Sequence, residues 1–336
     1  MQSSQDAPVS VDLSVHSDPC HGVVRWNASK SLWWLAMTLI WIYFFVSTLS
    51  VSSVFIFLIL SAITLCFGHS LGMHRKLIHG AFECPKWLER LCIYCSTLVG
   101  LGGPFSMMQT HDTRDWAQRL PACHPFLSHQ NNLFKDFYWQ LHCKLHLKFP
   151  PELCYPKSVQ HDRFYQLLQT TSMLQQLPLA LVLYWAGGWA WVVWGVCARV
   201  SVSVFGHWLI GYFAHNSGHR SWHLNGCSVQ GHNVKGFGLI SFGECWHNNH
   251  HAFPGSAKMG LHRDQFDPGW QVLKVLKRFN LVWNIKTPEN LPKRENLVRL
   301  ALADDLGWRK NDNSISLFRQ NSGANAKSAN VNGSGL

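Results

Sequence analysis

The sequence predicts an all-α integral membrane protein. Four transmembrane helices form two hairpins, and a helical cytoplasmic cap carries a histidine-rich dimetal site. Three observations predict this. Only 14% of the 336 residues are charged while 47% are hydrophobic, and an average globular chain carries roughly 25% charged residues. That is too little charge to cover a soluble surface, and it excludes a disordered chain and argues against an ordinary cytosolic enzyme. The charges are also missing from long continuous blocks. Finally, the 20 histidines outnumber the 18 Asp and Glu and gather at the edges of those blocks.

Taken in order, residues 1–29 read as a polar N-terminal tail with no cleavable signal pattern. Residues 31–74 contain no Asp, Glu, Lys or Arg. That length accommodates two crossings of about 20 residues each, near 32–49 and 52–70, with the serine-rich run 47–53 as the turn. Residues 91–108 are apolar but contain Gly100, Gly102, Gly103 and Pro104. A full crossing there would send the basic residues that follow to the outer side, so this stretch reads as interfacial or re-entrant. A second uncharged pair, 164–198 and 200–219, predicts spans near 177–197 and 200–217 with Arg199 in the turn. Residues 30–309 then form a single membrane domain, and 310–336, rich in Asn, Ser and Gly, a disordered tail.

Basic residues concentrate between Arg75 and Arg163 and again after His219. The positive-inside rule therefore places both termini and the cap in the cytoplasm, of a bacterial inner membrane or of the endoplasmic reticulum. The net charge of +11 suits that topology, anionic lipid headgroups or an acidic electron carrier. No nucleic-acid recognition module is visible. The 11 cysteines are an odd number in a reducing setting, and Cys92-Ile93-Tyr94-Cys95 has no second pair, so it reads as packing. Trp33, Trp34, Trp185, Trp189, Trp191 and Trp194 read as an interfacial belt or as packing.

The histidines form separate clusters at matching depth. His69, His74 and His79 follow the second predicted span, each five residues apart, and His111 comes next. His215 and His219 are spaced i,i+4, which places them on one helix face. His247, His250 and His251 close the set. Eight or nine imidazoles exceed what one metal can take, so two metals are the natural count. Closed structural zinc sites favour four ligands, often cysteine. A thiolate-free, imidazole-rich set points instead to iron doing oxygen chemistry.

The run Phe242-Gly243-Glu244-Cys245-Trp246-His247-Asn248-Asn249-His250-His251-Ala252-Phe253, continuing through Ser256-Ala257-Lys258-Met259-Gly260-Leu261, resembles the third histidine box of the membrane-bound fatty acid desaturases, delta-9 type branch. His74-Arg75-Lys76-Leu77-Ile78-His79, followed by Phe82 and Pro85-Lys86-Trp87-Leu88-Glu89, resembles the first box. Similarity runs with gaps from about 55 to 290. His69 is a candidate for supporting the ligands.

Two departures from the family stand out. Its second box is HxxHH, and here the matching run is His111-Asp112-Thr113-Arg114-Asp115. Asp115 lies at i+4 from His111, so a carboxylate can replace an imidazole; equally, it can simply pair with an arginine. His124, His129 and His142 lie downstream as other ways to fill the vacancy. At the fourth span the family's Asn and His, four residues apart, fall on His215 and His219, with Asn216 one residue out of phase.

The resemblance implies a metal set of His74, His79, His111, Asp115, His215, His219, His247, His250 and His251 holding two Fe ions. It implies O2-dependent insertion of a cis double bond into a fatty acyl chain carried by CoA, carrier protein or lipid. No flavin, nicotinamide or haem fingerprint is present, so electrons come from a separate ferredoxin or cytochrome b5-type donor. Arg75, Arg114, Arg119 and Lys148 are candidates for contact with that donor or with a substrate headgroup. Hydroxylation or oxidative decarboxylation on the same scaffold is the nearest alternative. A non-catalytic metal- or lipid-binding homologue is the alternative from another class.

Overall fold

In the computed structural model the described residues are 10–12 and 16–300, and all but the last two lie in one compact unit. The predicted 310–336 tail lies outside the described residues. The principal elements, in chain order, are strand β1 (Asp18–Trp26), helices α1 (Ala28–Thr48), α2 (Val51–Ile78), α3 (Lys86–Leu98), α4 (Pro104–Gln118) and α5 (Leu133–His142), strand β2 (Cys143–Phe149), and helices α6 (Arg163–Thr170), α7 (Gln176–Asn216), α8 (His247–Ala252) and α9 (Pro268–Arg278). The protein is mostly helical. Among the described residues three helices, α1, α2 and α7, are long and apolar enough to cross a membrane.

Asn27 starts α1 by accepting from the backbone N–H of Lys30, and Ser50 starts α2 by accepting from Ser53. These side chains satisfy N–H groups that have no partner inside the helix. The first reversal therefore falls at Leu49–Ser50, inside the predicted serine-rich turn. The second does not fall at Arg199. It falls at Gly188, whose φ of 70° and ψ of −165° interrupt α7 in a region essentially restricted to glycine. Residues on either side then pack together: Leu183 lies with Val192 and Val196. Arg199 stays inside the helix, 0% exposed. Its guanidinium donates to the carbonyls of Gly195 and Leu98 and to Gln176 Oε1. A lone charge in an apolar block reads as a loop in sequence; here it ties three backbone segments together.

The ends of these helices near the two reversals expose large apolar side chains, among them Tyr43, Val46, Val51 and Trp185. Trp191 and Trp194 meet Ser52 and Thr48 at the same end. Trp194 is buried in the core, whereas Trp185 is 90% exposed. The predicted tryptophan set thus divides between packing and surface.

The inner half of α2 is different. From Ile63 to Ile78 it is wound as a π-helix, and nearly every residue from Ser70 onward is buried. Gly68 and Gly72 lie against α3 so closely that an added Cβ would stand 2.4 Å from Ser96 N and 2.7 Å from Cys92 Cβ. Small residues at this spacing let two helix backbones approach. Cys92 and Cys95 are buried here as free thiols, in keeping with a packing role. The predicted interfacial stretch 91–108 is the end of α3, a glycine-rich link with Gly100 and Gly102 at positive φ, and the start of α4.

Part of the predicted N-terminal tail is also ordered. β1 pairs antiparallel with β2, with Val24 opposite Leu145 and Trp26 opposite Cys143. This ribbon packs over α4 and α5 through Val24, Leu145, Leu147, Ala117 and Trp139.

Candidate metal centre

The end of α2, the middle of α4, the end of α7 and the short α8 bring seven histidines together. Four form one group: His74, His79, His111 and His250, with a nitrogen of each within 4.8 Å of the others. Three form the second group on the same criterion: His215, His247 and His251. α8 joins them, because His250 lies in the first group and His247 and His251 in the second.

The π winding explains the five-residue spacing of His74 and His79. On an α-helix, five residues place two side chains about 140° apart. A π-helix closes i→i+5 hydrogen bonds, and the His79 N–H donates to the His74 carbonyl at 3.1 Å. The two rings therefore meet with centroids 4.9 Å apart. His250 approaches both, at 4.5 and 4.8 Å, and His111 completes the group at 5.1 Å from His74 and 4.9 Å from His79.

Outer partners fix which ring nitrogen faces inward. His74 Nδ1 lies 2.5 Å from Glu244 Oε2, and the Ser70 hydroxyl donates to Oε1 of the same carboxylate at 2.6 Å. His111 Nδ1 lies 3.1 Å from Asp112 Oδ1. His215 Nδ1 lies 2.7 Å from the Gly211 carbonyl, which can only accept, so the neutral His215 ring presents a lone pair at Nε2. That Nε2 is 3.1 Å from His247 Nε2, which in turn is 3.0 Å from His251 Nε2. Both nitrogens of His79 and Nδ1 of His250 are buried with no hydrogen-bond partner among the described residues.

Burial holds His79, His250 and His251 well below the ordinary histidine range and His247 down to about 3, and neighbouring imidazoles push the same way. Neutral, converging imidazoles with unmatched lone pairs fit a bound cation, and a ligating histidine must be neutral. Burial opposes charge on Glu244, but His74 and Arg75 hold its carboxyl well below the usual carboxylate range. A histidine flanked outside by a carboxylate is a common support for a metal ligand.

α8 is sewn in place by the two asparagines of its motif. Asn248 accepts from the N–H groups of Ser221 and Trp222 and donates to the Trp222 and Gly231 carbonyls. Asn249 donates to the Met259 carbonyl and to Gln265. Arg75, beside His74, forms a buried fork with Asp267 at 2.9 and 3.2 Å and donates to the Ala257 carbonyl. Asp267 also accepts from Met259 N and starts α9 through Trp270 N.

No family model matches the chain, but individual relatives do. It is 34% identical over 252 residues to an sn-1 stearoyl-lipid 9-desaturase of Anabaena variabilis, covering 72% of this chain and 87% of that one. A second sn-1 stearoyl-lipid 9-desaturase, from Synechocystis, is 34% identical over 234 residues, covering 68% and 70%. The chain belongs to the membrane-bound fatty acid desaturases, in the delta-9 type branch. An icosanoyl-CoA 5-desaturase of Limnanthes douglasii is 30% identical over 248 residues, covering 71% and 65%.

In this desaturase two of the nine sequence-predicted ligands stand outside both groups. Both oxygens of Asp115 are engaged by Arg119, at 3.0 and 2.7 Å. α7 ends at Asn216, so His215 and His219 do not share a helix face. His219 instead bridges the backbone of Asn233, with its Nε2 3.4 Å from the Ser221 hydroxyl. Asn216 donates to the His129 and Tyr212 carbonyls. His69 lies next to the first group, with its ring 6.4 Å from His74 and 4.7 Å from His207. Arg75 is 1% exposed and unavailable to a donor or headgroup. Sequence reasoning missed Glu244 and Asp112 as supports. Glu244 carried a legible signal, an acid inside an apolar run three residues before a ligand.

Proposed function

We propose that this desaturase is an O2-dependent di-iron enzyme that inserts a cis double bond into a fatty acyl chain. The observation that carries the reading is the pair of adjacent, mutually facing histidine groups at one end of the apolar helices. His74, His79, His111 and His250 hold one iron, and His215, His247 and His251 hold the other. Bound iron supplies the one-electron oxidising power that hydrogen removal from an unactivated CH2 requires. Electrons come from a ferredoxin or cytochrome b5-type donor.

The protein's own contribution is positional. Glu244 and Asp112 orient His74 and His111 through Nδ1, leaving Nε2 for the metal. The Gly211 carbonyl does the same for His215. The buried fork between Arg75 and Asp267 holds the first box against the segment that follows the third. We read the chain as crossing the membrane four times, with α7 doubling back at Gly188 and both termini in the cytoplasm. The acyl chain then enters between the apolar helices toward the histidine end. Named relatives act on acyl-lipid and on acyl-CoA, and either carrier fits this reading.

The test is elemental analysis of the detergent-purified protein together with product analysis on saturated acyl substrates. Near two irons per chain and an alkene product support the proposal. A hydroxylated product without alkene, or iron near zero after expression with iron supplied, overturns it.

A further inference from the structure

The second histidine group has one imidazole fewer than the first, and the second-box run offers nothing to complete it: Arg114 donates to Gln140 and Asp115 pairs with Arg119. Just beyond this group stands His129. It is 2% exposed, and its ring lies 5.1 Å from that of His215 with the planes only 13° apart. Its Nδ1 is 2.8 Å from Asp136 Oδ2. Asp136 is itself 0% exposed and accepts from the Trp208 indole at 2.9 Å. His129 Nε2 is buried with no hydrogen-bond partner among the described residues.

A histidine pinned at one nitrogen by a buried carboxylate and free at the other has the arrangement that protein metal ligands commonly show. Leaving that nitrogen unpaired in the core has a cost that a merely space-filling residue would not need. His129 also holds φ at 57°, an uncommon conformation for a residue with a side chain, and Asn216 at the end of α7 secures its carbonyl. Ring, backbone and outer partner are thus all fixed beside His215. Gly211, one turn earlier on α7, would place an added Cβ 3.8 Å from His129 Nε2, so any longer side chain there would occupy the space His129 faces.

We propose that His129 is the fourth imidazole of the second group, brought onto the metal through Nε2 when that group is loaded, with Asp136 as its orienting carboxylate. In this chain it replaces an imidazole that the second-box run lacks. The inference rests on the two-metal reading above.

The test uses the full-length chain in detergent, stripped of metal and titrated with Co(II), reading stoichiometry by elemental analysis and ligand geometry by the visible cobalt band. His129→Asn keeps a residue that tolerates positive φ. Wild type should take two equivalents. His129→Asn should weaken the second at least about tenfold and change its cobalt band, leaving the first untouched. Asp136→Asn should weaken the same equivalent by a smaller factor. Two equivalents in His129→Asn with wild-type affinity and an unchanged band would overturn the inference alone. A weakened second equivalent with an unchanged cobalt band would also overturn it, because it would mark a packing role. Failure of the wild type to take a second equivalent would overturn the two-metal reading itself. If His129→Asn fails to fold, His129→Gly, which suits φ 57° without strain, replaces it under the same criteria.

Discussion

The two histidine groups share one helix, α8, but are built by different means. The first draws its histidines from three elements, α2 with the residue after it, α4 and α8, and two of its four rings have carboxylates behind them, Glu244 and Asp112. The second has three rings, two of them from α8, and its His215 leans on a backbone carbonyl. Beside it stands His129, which is backed by the Asp136 carboxylate. The difference is that the first group is complete within its own boxes, whereas the second has beside it a buried histidine from elsewhere in the chain with its outer partner attached.

The sharpest way to break this comparison is His250→Ala. His250 is close to His74 and His79 and is also 5.5 Å from His247. We expect the first group to lose its metal and turnover to fall by at least about 100-fold, with extraction from membranes unchanged. Full metal content in that variant would remove His250 from the set.

Glu244→Gln should separate the two groups. We expect metal affinity at the first to fall by about 10- to 100-fold with the second unaffected, read by metal titration. An equal loss at both would show that the groups are one coupled unit.

Acid should act on both. The folded rings of His79, His247, His250 and His251 protonate only well below the ordinary range, while unfolded histidines do so near 6.5. Between those limits the unfolded chain binds more protons, so stability of the metal-free protein rises with pH and is lost as pH falls below about 6.5. Thermal unfolding of metal-free protein between roughly pH 7 and 5 should show a falling midpoint. A flat profile would mean that the histidines are not held neutral in the fold.

The smallest effect is expected from Asp115→Asn. Its pairing with Arg119 is partly exposed, and such pairs contribute about 0–1 kcal/mol. Metal content should be unchanged. A lost equivalent would return Asp115 to the ligand set and displace His129 from it.

Local features are readable from the amino-acid order alone. Apolar blocks free of charge mark α1, α2 and α7, because lipid-facing helices cannot carry unpaired charge. The serine cap marks the first reversal, and the third box, a short helix, carries its ligands and its structural asparagines in one run. What depends on backbone winding or on distant partners was not legible. The five-residue spacing of His74 and His79 brings their rings together only because the end of α2 is wound as a π-helix, and that stretch packs closely on α3 at Gly68 and Gly72. Arg199 reads as a turn in sequence because two of its partners, the Leu98 carbonyl and Gln176, are distant along the chain and meet it only in the folded protein. His215 and His219 separated because α7 stops at Asn216. Residue type points to metal-binding side chains, but which imidazoles meet is set by the folded chain, since ring nitrogens must come within a few ångströms of one another and sequence spacing constrains that distance only within a single regular element.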